Sequence, residues 1–115
     1  MLYRIAQPAD WQQAQQTGFF ASADLVAEGF IHASELAQVL ETARLYYQAS
    51  PGAILLEVEE KALQAAGIRV EREWVERRQA YFPHVFGRIP LAAVRRFWPF
   101  PVADDGAAQL PPEIN

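Results

Sequence analysis

The sequence predicts one α+β domain with a curved or split, mostly antiparallel sheet and one main amphipathic helix. Three observations predict it. The chain has 115 residues, the length of a single domain with a real core. Short strand-like and helix-like patterns succeed one another without regular alternation, which argues against a parallel α/β sheet. One strongly periodic helical stretch, residues 36–48, runs next to an apolar stretch, residues 53–58, that reads as a strand buried on both faces.

Residues 2–6 read as the first strand, closed by Pro8. Residues 8–16 have helix-start chemistry, with proline early, Asp10 in the first turn and Gly18 beyond the end. Residues 21–28 suggest a short helix or turn with Ser22 as N-cap and Gly29 just past it. A strand at 30–33 leads into the main helix, in which Leu36, Val39, Leu40, Ala43 and Tyr47 share a face; Ser34 is its expected N-cap and Ser50-Pro51-Gly52 its stop. Residues 61–66 read as a brief helix stopped by Gly67, 68–74 as a strand and 75–80 as a polar loop or hairpin. Residues 90–93 suggest one helical turn and 94–98 a last strand. The domain is expected over 1–100. The Pro-, Ala-, Asp- and Gly-rich residues 101–115 are expected as a flexible tail.

Composition narrows the function classes. Hydrophobic residues make up 51% and charged residues 21%, a globular balance. No apolar run approaches a bilayer span, and Met1-Leu2-Tyr3-Arg4 does not begin a signal peptide, so a cytoplasmic protein without a membrane partner is expected. The absence of cysteine excludes disulfides, thiol nucleophiles and thiolate metal sites. A net charge of −4 argues against general nucleic-acid binding, yet residues 68–98 carry seven arginines against three glutamates. Arg–Glu pairs on solvated strand faces explain that segment; a local site for a phosphate-bearing ligand is the functional alternative.

The only two histidines occupy Gly29-Phe30-Ile31-His32-Ala33-Ser34 and Phe82-Pro83-His84-Val85-Phe86-Gly87. Strand alternation places Phe30, His32 and Ser34 on one face, and Phe82, His84 and Phe86 on one face of the other segment. If the segments meet, two imidazoles, a hydroxyl and aromatic walls form a pocket. Satisfied core histidines would give the same pattern. Two histidines 52 positions apart lack metal-ligand spacing, and no nucleophile elbow, Walker or Rossmann glycine motif is present.

Tyr3-Arg4-Ile5, Trp11, the two histidine segments, Gln38 and Leu55-Leu56 resemble, in order, the bacterial domain of unknown function 952 family (DUF952). That family is distantly similar to the ADP-ribosyltransferases, including the RNA 2′-phosphotransferases that consume NAD. The resemblance implies an ADP-ribosyltransferase-like fold and a transferase using NAD or an ADP-ribose-type nucleotide. In those enzymes a first-strand histidine holds the nicotinamide ribose; Arg4 occupies that position here. His32-Ala33-Ser34 resembles the later strand step. The expected catalytic residues are therefore His32 and His84, with Glu71 and Glu73 as candidate carboxylates. The expected cofactor contacts are Arg4, Phe30, Ser34, Phe86 and Arg88. The alternative is a non-catalytic module that binds a nucleotide or a protein in the same cleft.

Overall fold

In the computed structural model, which describes residues 1–114, β1 (Leu2–Ala6) is an edge strand paired antiparallel with β4 (Ile54–Val58). β8 (Val94–Pro99) lies on the other side of β4, so the sheet order is β1-β4-β8 with β4 central. A second three-stranded sheet has the order β3-β6-β5, from β3 (Ile31–His32), β6 (Ala80–Phe86) and β5 (Arg69–Val75). A small ribbon joins β2 (Phe19–Phe20) to β7 (Ile89–Pro90). Every pairing among these strands is antiparallel, and the protein is an α+β single domain.

Alternation along β1 and β4 explains the two cores. Leu2, Ala6, Leu56 and Val58 face one side, where they meet Phe20, Ile31, Val85 and Ile89. Tyr3, Ile5 and Leu55 face the other, where Val39, Ala43, Phe100, Val102 and Ile114 cover them. A strand buried on both faces calls for a largely apolar run, interrupted in β4 only by Glu57.

Helix α1 (Pro8–Thr17) starts with proline and ends at Gly18, whose φ of 88° is the left-handed cap that glycine adopts without strain. α2 (Ala23–Glu28) ends the same way at Gly29, with φ 89°. α3 (Val39–Tyr46) and α4 (Glu60–Ala65) complete the set.

Three expectations are corrected. The longest helix is α1, ten residues, rather than 36–48, which breaks into a 3₁₀ turn (Leu36–Gln38) followed by α3. The early end has a tertiary cause: Ala49 turns left-handed at φ 57° and Ser50 bridges Val102. Ser34 does not cap this helix. Glu35 occupies the cap position, where its backbone N–H donates to the Gln38 side chain at 2.9 Å. Finally, residues 101–115 are expected as a flexible tail; Asn115 lies outside the described residues, but Val102 and Ile114 are buried. They complete the cover over the face of the β1-β4-β8 sheet that α3 alone leaves open.

Candidate functional site

The two main sheets meet where the chain leaves β3. Tyr3 and Ser34 exchange backbone hydrogen bonds of 2.9 and 2.8 Å, forming an isolated bridge on the open edge of β1. Beside this bridge lies a cleft of about 410 Å³, lined by residues of both sheets. Its walls come from β1 (Arg4, Ile5), the start of α2 (Ser22, Asp24), the end of β3 and the segment beyond it (His32, Ser34), α3 and its end (Thr42, Tyr46, Tyr47), and the β5–β6 hairpin (Arg77, Arg78, Phe82). Gln7 and Asp10 close the end nearest α1. The volume is that of a small-molecule site.

Arg4 is largely buried, its side chain only 10% exposed. Its Nη1 donates to an Asp24 carboxylate oxygen at 2.8 Å and to the His32 carbonyl at 2.9 Å. Nε is buried without a partner, and Nη2 makes no protein hydrogen bond among the described residues. Asp24 is fully committed to this arrangement. Besides Arg4 it accepts from the His32 N–H at 2.9 Å, the Leu25 N–H at 3.1 Å and the Ser22 hydroxyl. Burial pushes the Asp24 carboxyl up, but the Arg4 charge and the bonds from Ser22, the His32 N–H and Arg4 together hold it below the usual range. The result is a guanidinium locked at one nitrogen and open at another.

The hairpin supplies two further arginines. Arg78 stands 4.4 Å over the Phe82 ring and donates to the Thr42 hydroxyl at 3.1 Å. Arg77 and Arg78 both lie over Tyr46, at 5.5 and 5.6 Å. Neither meets a carboxylate among the described residues, and aromatic faces hold them at the cleft wall. The Ser34 hydroxyl, 3.3 Å from that of Thr42, adds a neutral donor or acceptor.

The two histidine segments do meet. His32 and His84 are cross-strand partners on β3 and β6, with ring centres 5.1 Å apart. Phe30 stacks on His84 at 4.0 Å and approaches Phe86 at 5.4 Å. Only His32 reaches the cleft, however. His84 is 4% exposed, covered by Phe30, with Nδ1 2.7 Å from Glu73 and Nε2 buried without a partner. His32 Nε2 lies 2.8 Å from Glu28.

The remaining expected site residues separate from the cleft. Glu73 serves His84, and Glu71 pairs with Arg69 at 3.5 Å. Phe86 carries Arg69 over its ring at 3.9 Å, and Arg88 lies over Phe19 at 4.3 Å, beside the β2–β7 ribbon. The cause is register: Glu71 and Glu73 sit opposite His84 and Phe82 on β6, on the side of β6 away from β3. Of the nine expected residues, Arg4, His32 and Ser34 line the cleft. No motif in the sequence marks Asp10, Asp24, Thr42, Tyr46 or Tyr47 as site residues. The arginine-rich segment 68–98 was a usable signal for Arg77 and Arg78. Among the described residues no group of three His, Asp or Glu is placed to hold a metal ion. None of the helices described is long and apolar enough to cross a membrane.

These features define an α+β protein with a split antiparallel sheet and a basic cleft at the split. The profile of the family described as "Protein of unknown function (DUF952)" matches residues 5–97, and the chain belongs to that family. Protein CC0527 from Caulobacter crescentus is similar in structure. Its crystal structure matches with a TM-score of 0.79 at 33% identity, covering 95% of this chain and 93% of that one. A double-methionine variant of the same protein matches with a TM-score of 0.82, at the same identity and coverage. Its solution structure gives 0.77, at 33% identity, covering 95% of this chain and 91% of that one. No curated protein matches significantly.

Proposed function

We propose that the cleft binds a phosphate-bearing nucleotide of the NAD or ADP-ribose type, with Arg77 and Arg78 on its phosphates and Arg4 and Ser34 deeper in the site. One observation carries this reading. Arg4, Arg44, Arg69, Arg72, Arg95 and Arg96 each meet a carboxylate within 4 Å. Among the described residues the cations without one are Lys61, Arg77, Arg78 and Arg88, and two of these four line the cleft. Solvated ion pairs therefore account for most of the arginine excess but not for the pair at the cleft wall. A phosphate there gains charge-assisted, forked hydrogen bonds.

The ADP-ribosyltransferase-like reading is retained as the class of ligand. Its catalytic form has less support, because Glu71 and Glu73 lie outside the cleft and His84 is sealed under Phe30. That favours a binding module over a transferase that depends on those groups.

Thermal melting with NAD, ADP-ribose and ADP tests the proposal. A ligand at a hundredfold excess over Kd adds about 2.7 kcal/mol of stability, a shift of several degrees for a domain of this size. The shift should disappear in the Arg77→Ala/Arg78→Ala double variant, shrink in high salt and shrink in His32→Ala. Unchanged melting with all three ligands at millimolar concentration rejects the nucleotide reading and leaves a protein-binding module.

A further inference from the structure

We infer that Asp10 and Tyr47 form a hydroxyl-recognising end of the cleft, so that its ligand is a phosphorylated sugar with a free vicinal diol and not a bare polyanion. This rests on the nucleotide reading above and specifies which nucleotides qualify.

Two carboxylates line the cleft, and they differ in what they do. Asp24 already accepts from Arg4, Ser22 and two backbone N–H groups. Asp10, half-buried in the first turn of α1, makes no ion pair and no side-chain hydrogen bond among the described residues. Tyr47, at the end of α3, is similar: the residue lines the cleft, and its hydroxyl has no protein partner among the described residues.

Both groups line the same cleft. Burial pushes the Tyr47 phenol up; Arg4 opposes this, while Asp24 and Asp10 add to it. Tyr47 is thus a neutral hydroxyl in the cleft that Asp10 and Arg4 also line. A carboxylate has acceptor sites only, and a neutral phenol both donates and accepts. Together they complement adjacent sugar hydroxyls, which bring two donors and two acceptors. A bare polyanion brings no donor for Asp10 and is repelled by it. The anion-binding guanidinium groups, Arg77 and Arg78, come from the hairpin, so one ligand can engage phosphate and diol from different walls of the same cleft. Arg4, 10% exposed and with Nε unpartnered, lies deep in that cleft.

Titration calorimetry on the full chain with ADP, 2′-deoxy-ADP and pyrophosphate tests the inference. ADP should bind about ten- to a hundredfold tighter than 2′-deoxy-ADP, the worth of one hydrogen bond to a charged group. Asp10→Ala and Asp10→Asn should each collapse that ratio towards one while leaving 2′-deoxy-ADP and pyrophosphate binding equal or tighter. Tyr47→Phe should reduce the ratio in part. Melting of each variant without ligand controls for folding, and Asp10→Asn keeps the shape of the first turn. If ADP and 2′-deoxy-ADP bind equally to the unaltered chain, or if the preference survives in both Asp10 variants, this inference fails while phosphate binding through Arg77 and Arg78 stands. If pyrophosphate and both nucleotides all fail to bind, the nucleotide reading fails and this inference with it.

Discussion

At the scale of single residues, the cleft depends on Asp24. One short side chain gathers Arg4, the Ser22 hydroxyl and the N–H groups of Leu25 and His32, and so ties β1, α2 and β3 together. Asp24→Ala removes all four bonds and leaves a guanidinium that is 10% exposed without its counter-charge. Hydrogen bonds to charged groups are worth about 1.5–3 kcal/mol each, and their losses here overlap. The expected destabilisation is about 3–5 kcal/mol, as for a buried ion pair broken by removing one partner. Urea unfolding reads it directly. Asp24→Asn keeps part of the bonding and should cost less. Equal stability of Asp24→Ala and the unaltered chain would mean that Arg4 is not held as described.

Elements are fixed by their ends, and two glycines separate local strain from tertiary fit. Gly18 and Gly106 both adopt left-handed backbone, with φ 88° and 89°. A methyl group on Gly18 meets nothing within 4 Å, so Gly18→Ala should cost about 1–2 kcal/mol, the left-handed penalty alone. A methyl group on Gly106 would lie 2.7 Å from backbone atoms of Arg44 in α3. Gly106→Ala should therefore cost clearly more, and it should open residues 101–114 to limited proteolysis. Thermal melts of the two variants, measured side by side, decide it. Equal losses would mean that the C-terminal segment does not press on α3.

The whole molecule responds to pH through its paired carboxylates. Forked bonds from Arg96 hold the Glu57 carboxyl below its usual range against the effect of burial, with help from the Tyr3 hydroxyl. A bond from Arg72 does the same for Glu60, and Asp24 is lowered as well. A carboxyl whose folded pKa is depressed contributes stability above its unfolded pKa, about 3.9 for Asp and 4.3 for Glu. That contribution is lost as the pH falls through the folded pKa. Stability in urea should be flat from about pH 7 to pH 5 and decline below about pH 4, and Glu57→Gln should lower the plateau and soften the decline. Tyr3 works in the opposite direction. Burial and the adjacent Glu57 push its pKa up to about 12, so its contribution holds below its unfolded value and is lost as the pH rises towards 12. A decline of the same depth in Glu57→Gln would show that this carboxylate does not carry the acid limit.

Elements that depend on near neighbours are legible in the sequence. Pro8 and Gly18 bounded α1, and Gly29 ended α2. The apolar run at Ile54–Val58 placed β4 in the middle of its sheet. The alternation in the two histidine segments put Phe30, His32, His84 and Phe86 on one face, where their rings now touch. Tertiary packing sets which ring of that cluster meets solvent: His84 is sealed, and the His32 side chain stays 43% exposed. It also ended α3 early through the Ser50–Val102 bridge and folded the C-terminal segment onto the sheet. Caps, turns and alternation are encoded within a few positions. Burial and charge pairing are not: Arg4 finds Asp24 at a separation of 20 residues and the His32 carbonyl at 28, and Arg78 reaches Thr42 across 36. The cleft is made of such contacts, which is why its arginines were legible as a charge excess and its shape was not.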